Sequence, residues 1–198
     1  MEEQFADIRA CADEEERLRR IDRVVTWENP GPGGFYVNLG VHGDEVYLPD
    51  RVEFGQDPSG LHSPNCGFTT PALSGKNVRN QATAMKTSWM TYRETLLDRP
   101  LRMKFAGLSP ALEYGLRVVY GGETKDVRIR LVTGGGIQIH DFIEKPFPYR
   151  PLEFTLPREA TASGTVELTW NRDGAGMGAG RGSQVSEVWI IPVGSENE

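Results

Sequence analysis

The sequence predicts a mainly β protein, an antiparallel β-sandwich preceded by an N-terminal helix. Three observations carry that expectation. The first is the run Thr165–Trp170, where Val166, Leu168 and Trp170 alternate with Thr165, Glu167 and Thr169. Alternation with period two marks a half-buried antiparallel strand. The second is Gln184–Ile191, apolar on both faces, with Val185, Trp189 and Ile191 on one side and Val188 and Ile190 on the other. Such a strand is central, or covered on both sides. The third is turn chemistry: 23 glycines and 13 prolines punctuate short apolar runs along 198 residues, as in all-β sandwiches and barrels.

Taken in order, residues 2–25 read as one helix, because Phe5, Ile8, Cys11 or Ala12, Leu18, Ile21 and Val25 recur at three- and four-residue steps. Glu15 with Arg19 and Glu16 with Arg20 are spaced for i,i+4 pairs on a solvated face. Asn29, Pro30 and the following glycines end that helix. Short strands are expected over Phe35–Leu39 and Glu45–Leu48. From Pro49 to Gln81 the chain is polar, irregular and rich in proline, with His62, Cys66 and Phe68 inside it. A loop this long is usually functional or laid over the core. Thr87–Leu97 fits a strand or a short helix, and the pattern does not choose between them. Strands then follow at Leu101–Phe105, Tyr114–Tyr120, Val127–Val132, Ile137–Phe142 and Leu152–Leu156. In the fourth of these, Ile137 and Ile139 are expected to face opposite Gln138 and His140. Trp170 and Trp189 are both assigned to the core. The division expected is a helix and linker over 1–26, a β-sandwich domain over 27–193 and a disordered tail over 194–198.

The composition is that of an ordinary folded domain, with 38% hydrophobic and 25% charged residues. The net charge of −6 argues against a nucleic-acid partner, which needs a basic footprint, and against docking on an anionic membrane. No run approaches the ~20 apolar residues of a membrane span. The N-terminus has neither a basic nor an apolar signal region. A cytoplasmic protein, or a segment of a longer exported chain and then extracellular or periplasmic, is expected. Cys11 and Cys66 are expected as free thiols.

His42, His62 and His140 lie far apart and show no zinc-binding spacing. The glycine-rich stretch 174–182 sits between strands and has no phosphate-loop pattern, so its glycines serve backbone conformation. Arg181 within it is placed to hold a carboxylate or hydroxyl, or to cap a sheet end. Glu187 alternates in phase with Val185 and Trp189 and is expected to point into an apolar face. There it needs a partner, and Arg181, His140, Arg117 and Arg130 are the candidates. Asp141 and Glu144 beside His140 form a second acidic group. No Ser/His/Asp arrangement is legible.

Three stretches resemble the galactose-binding-like jelly-roll domains appended to bacterial glycoside hydrolases and related carbohydrate-active proteins. They are Pro100–Leu108 (PLRMKFAGL), Tyr114–Tyr120 (YGLRVVY) and Gly180–Ile190 (GRGSQVSEVWI). The lead-in Pro30–Gly40 (PGPGGFYVNLG) is similar to the segment before such modules. The resemblance implies a jelly-roll sandwich and a noncatalytic carbohydrate-binding or accessory module of a larger protein. Its partners would be a carbohydrate and a neighbouring catalytic domain of the same parent chain. It also implies a possible structural calcium, with Asp44, Asp50, Asp57, Asp126 and Asp173 as loop oxygens of the right kind. Sugar sites stack pyranose rings on aromatic platforms flanked by polar groups. The candidate binding residues are therefore Tyr36, His62, Trp89, Tyr92, His140, Arg181 and Glu187. Two alternatives stand beside this. One is a hydrolase or lyase using loop carboxylates, or a histidine and a tyrosine from residues 42–92. The other is a structural domain that docks through its N-terminal helix.

Overall fold

The computed structural model of the chain describes residues 2–40, 45–50, 65–68, 89, 91–122, 127–147, 149–174 and 183–193. The single N-terminal helix expected is two helices, α1 (Glu2–Ala10) and α2 (Glu14–Val25). Asp13 causes the break. Its backbone is extended (φ −82°, ψ 124°) and its carboxylate accepts the Glu16 amide at 2.7 Å. It thus caps a new helix instead of continuing the old one. Three glutamates in the first turn of α2 favour the same start. The Thr26 hydroxyl closes the other end on the Asp22 carbonyl at 2.7 Å.

The strands are β1 (Phe35–Asn38), β2 (Asn65–Phe68), β3 (Thr91–Glu94), β4 (Leu101–Ala106), β5 (Glu113–Val119), β6 (Ile129–Thr133), β7 (Gln138–Ile143), β8 (Leu152–Leu156), β9 (Thr165–Arg172) and β10 (Glu187–Val193). Two expectations fail locally. Glu45–Tyr47 is a 3-10 turn, not a strand, and the stretch expected to be irregular contains β2. The ambiguous Thr87–Leu97 contains β3, and Pro157 leads into a short helix, α3 (Arg158–Thr161). The tail 194–198 lies outside the described residues.

Eight strands form two four-stranded sheets in the orders β1-β10-β5-β8 and β4-β9-β6-β7, and every pairing is antiparallel. Setting β2 and β3 aside and counting the rest in chain order, the sheets read 1-8-3-6 and 2-7-4-5. That interleaving is the jelly roll, two Greek keys wrapped so that sequential strands alternate between layers except at β6–β7, which pair within one. The last strand lies second from the edge of the front sheet, between β1 and β5, as its two apolar faces required.

The core fills the space between the sheets. From the front sheet come Val37, Leu116, Val118, Val188 and Ile190; from the back sheet come Leu101, Met103, Phe105, Ile129, Leu131, Leu168 and Trp170. Each is almost entirely removed from water, a term of roughly 1.5–3 kcal/mol per large side chain.

Two phase assignments are corrected. His140 is buried beside Leu131, while Gln138 is exposed and Ile139 is half-buried. Register shifts between Ile129 and Val132 rotate β7 against β6. Trp189 is buried, yet not between the sheets. It belongs with Trp89, Val119 and Tyr149 to a second cluster on the outer face of the front sheet. Val185, expected in phase with it, lies in the main core.

The antiparallel pair β2–β3 forms its own two-stranded sheet. It is tied to the sandwich by the Arg93–Val185 bridge, with N···O distances of 2.8 and 3.1 Å. Gly40 permits the approach: a Cβ there would lie 1.9 Å from Thr91 Oγ1.

Candidate functional site

Cross-strand register places Tyr36, Trp189, Arg117 and Glu153 opposite one another on β1, β10, β5 and β8. Because neighbours in a row share a face, these four side chains line the outer side of the front sheet. Tyr36 lies 5.0 Å from Trp189 between ring centroids. The Arg117 guanidinium sits 5.7 Å over the Trp189 ring and pairs with Glu153 at 2.9 Å.

The next row holds Glu187, paired with Asn38 and Val119. The Glu187 side chain is 1% exposed and accepts three aromatic donors. Trp89 Nε1 donates at 2.8 Å, the Tyr36 hydroxyl at 3.2 Å and Trp27 Nε1 at 3.4 Å. Burial first, and the Glu187 charge second, push the Tyr36 hydroxyl well above its ordinary ionisation range. It therefore stays a donor. Trp27 is held twice, since its backbone carbonyl accepts Trp189 Nε1 at 2.9 Å. Its ring meets Trp189 edge-on at 5.2 Å and 87°. A charge buried at this depth is tolerable only with such hydrogen bonding.

A second polar cluster adjoins this one through Tyr149. Lys145 is buried, and its ammonium donates to the Gly121 carbonyl at 2.7 Å and to Gln184 Oε1 at 2.8 Å. Gln184 Nε2 passes the chain on to Glu94 Oε2 at 3.0 Å. Burial pushes the Lys145 ammonium down to about 7, with the Glu94 charge opposing. Tyr149 donates to the Gly122 carbonyl, and burial pushes it up to about 12.

Of the residues singled out in the sequence, Tyr36, Trp89 and Glu187 are brought together. Tyr92 is 1% exposed on β3 and sits near Tyr149 and Gly122 instead. His140 lies on the inner side of the back sheet, apart from Glu187. Its Nδ1 donates to the Asp141 carbonyl at 2.7 Å, so its Nε2 accepts the Tyr120 hydroxyl at 2.6 Å. His62 and Arg181 lie outside the described residues. Arg117 and Arg130, considered as partners for Glu187, are otherwise engaged: Arg117 with Glu153, Arg130 over the Phe142 ring at 4.9 Å. Trp27, Trp189, Arg117 and Lys145 also stand at these clusters, although the sequence reading puts Trp189 in the core and weighs Arg117 only as a partner for Glu187. Trp189 had a signal, its shared phase with Glu187. Lys145, in a Glu-Lys-Pro setting, had none.

Asp50 pairs with Arg102 and Asp173 with Arg128. Among the described residues no group of three His, Cys, Asp or Glu side chains is placed to hold a metal ion. Asp44, Asp57 and Asp126 lie outside them. No helix among those residues is long and apolar enough to cross a membrane.

Fold and face together define an eight-stranded jelly roll with an aromatic and charged outer sheet face. No protein-family model and no curated protein matches the chain. Among solved structures it is similar to a family 35 carbohydrate binding module from Clostridium thermocellum, with 10% identity, TM-score 0.37, and coverage of 64% of this chain and 86% of that one. It is similar to the ANXUR2 extracellular domain from Arabidopsis thaliana at 13% identity and TM-score 0.48, over 80% of this chain and 41% of that one. It is also similar to TmCBM61 in complex with beta-1,4-galactotriose at 16% identity and TM-score 0.34, over 69% of this chain and 93% of that one.

Proposed function

We propose that the chain is a noncatalytic carbohydrate-recognition module that binds through the outer face of its front sheet. The observation that supports this reading is the row Tyr36–Trp189–Arg117–Glu153 beside the three-donor Glu187. Its solvent-reaching members, Tyr36 with Trp27 beside it and Arg117 with Glu153, join the two things a sugar needs: apolar ring surface for its C–H face, and planar polar groups for its hydroxyls. Tyr36 and Trp27 are half-exposed, and Arg117 and Glu153 reach solvent. Affinity from one shallow face would be on the order of micromolar to millimolar. A glycan array followed by calorimetric titration tests it. Tyr36→Ala is expected to weaken binding at least about tenfold, the loss of a stacking ring, while Phe5→Ala on α1 leaves binding unchanged. Equal binding by wild type and Tyr36→Ala would remove this face from the reading. No binding to any glycan would end the reading itself.

A second reading has its own observation. Phe5, Leu18, Ile21 and Val25 on α1 and α2 are 45%, 59%, 40% and 77% exposed. A helical pair with this much apolar surface suits docking against a neighbouring domain of a parent chain. The hydrolase or lyase alternative drew on residues 42–92, most of which lie outside the described residues.

A further inference from the structure

Lys145, Gln184 and Glu94 come from three separate segments: the connection after β7, the entry to β10, and β3. All three are buried. Among the described residues the Lys145 nitrogen has two acceptors, the Gly121 carbonyl at 2.7 Å and Gln184 Oε1 at 2.8 Å. On its other side the Gln184 amide donates from Nε2 to Glu94 Oε2 at 3.0 Å. These contacts fix the orientation of the amide, because an ammonium only donates and a carboxylate only accepts. The amide is also packed against Gly122, where a Cβ would lie 2.4 Å from Oε1. Its carbonyl carbon is one bond from Oε1, and so within about 4 Å of the Lys145 nitrogen. A nucleophile, an acyl carbon and a carboxylate therefore stand in one line, shut away from water.

We infer that Lys145 and Gln184 form a covalent crosslink inside the folded chain, an amide between the lysine nitrogen and the glutamine side-chain carbon, with Glu94 carrying the proton. The step balances without any added reagent. The lone pair of the uncharged amine attacks Gln184 Cδ, and the carbonyl π pair moves onto Oε1. Glu94 takes a proton from the attacking nitrogen and delivers it to Nε2. The Cδ–Nε2 bond breaks as the oxygen pair returns, and ammonia leaves. Rotation about the Lys145 Cε–Nζ bond turns the lone pair toward Cδ without moving either residue. The uncharged amine is present near neutrality, because burial pushes Lys145 down to about 7. Glu94 is close enough for its charge to act on Lys145. Holding amine and amide side by side replaces a bimolecular encounter, and their burial keeps water from competing for the same carbon. The product ties the segment after β7 to the entry of β10, positions 39 apart in sequence, and so constrains the unfolded chain. A chain not yet bonded keeps a titrating Lys145; the bonded chain does not. None of this depends on what the front sheet binds.

Intact-mass and peptide mass spectrometry on the full chain test this, starting from protein freshly refolded in mild acid and then moved to mildly alkaline buffer. The wild-type chain is expected to lose the mass of one ammonia and to yield a branched peptide that joins Lys145 to Gln184. The rate should rise as pH climbs through about 7 and then level off, following the uncharged amine. Lys145→Met should keep its full mass. Glu94→Gln, nearly the same in size, should form the bond at least about a hundredfold more slowly, with circular dichroism confirming that it folds. Chain held unfolded in urea should form no bond, since only folding brings the three segments together. A folded wild-type chain that keeps its full mass overturns the inference, whether or not either variant folds. So does ammonia loss without that branched peptide, or equal bond formation in urea. A bond that forms as fast in folded Glu94→Gln overturns the part given to Glu94.

Discussion

Two rows of four residues cross this molecule, each with a fully buried tryptophan in second place. In the back sheet Leu101, Trp170, Leu131 and His140 stand opposite one another, facing inward. In the front sheet Tyr36, Trp189, Arg117 and Glu153 do the same, facing outward. Both indoles are 0% exposed, so burial does not distinguish them. What covers them does. Trp170 donates to the Tyr120 hydroxyl at 3.1 Å, which in turn donates to His140, and that network is enclosed between two hydrogen-bonded sheets. Trp189 packs with buried Trp89, Val119 and Tyr149 on the outer face, and Trp27, Tyr36 and Arg117 lie against it from the solvent side. Opening the first row means parting the sandwich, whereas the second lies outside both sheets. Regions that open at low cost are those with few fixed backbone hydrogen bonds, and they are where binding residues are found.

The sharpest way to break this comparison is to truncate the inner indole and the ring that lies over the outer one. Trp170→Ala is expected to cost about 3–5 kcal/mol, the range for a large aromatic removed from a close-packed core. Trp27→Ala is expected to cost about 1–2 kcal/mol, an ordinary value for a partly exposed contact. Urea unfolding of the two variants measures both. Equal losses would make Trp27 a core residue, and the outer row would then be a second core.

Acid and base probe the two regions separately. His140 belongs to the inner row, and burial lowers its pKa below the ordinary 6.5. The neutral ring is the folded form, so its stability is present above about pH 6.5 and is lost as pH falls below it. Lys145 adjoins the outer cluster, with its pKa pushed from 10.5 to about 7. Between these values the unfolded chain binds more protons, so stability rises with pH across that window. Unfolding midpoints of wild type should therefore fall below pH 6.5 and climb between pH 7 and 10. His140→Phe is expected to flatten only the first limb. Lys145→Met should be less stable throughout, since it strips the donor from the Gly121 carbonyl and from Gln184, and should flatten only the second. If either variant kept the slope assigned to it, the titrating group would be a different one.

How much of this was legible in the sequence depends on the range of the contact that decides it. The alternation in Leu101–Phe105 and Thr165–Trp170 is local, and it placed those strands and their inner faces. The two-sided apolarity of Gln184–Ile191 placed β10 inside a sheet. It did not say which face met the other sheet, because Val188 and Trp189 are equally apolar. Glu187 was suspected from its phase, but its donors lie 98, 151 and 160 residues away, beyond any local window. His140 was put on the wrong face because a register shift, which leaves no mark in composition, turns β7. Asp13 broke a helix whose apolar spacing runs straight through it. There capping chemistry outweighed periodicity.

The smallest expected change in stability is also the most informative about the outer row. Arg117 sits over the Trp189 ring and pairs with Glu153, whose side chain is 70% exposed. An ion pair so open to water contributes about 0–1 kcal/mol, and a partly exposed guanidinium over an indole about 0.5–1 kcal/mol. Arg117→Ala should therefore shift the unfolding free energy by no more than about 1–2 kcal/mol. Inner positions behave otherwise, because there a lost side chain leaves a cavity. If the row is a recognition surface, the same variant should lose most of its glycan affinity, since the removed group faces the ligand and not the core. A large stability loss with binding intact would mean that Arg117 fastens β5 to β8, and that the surface facing a sugar lies elsewhere on the sandwich.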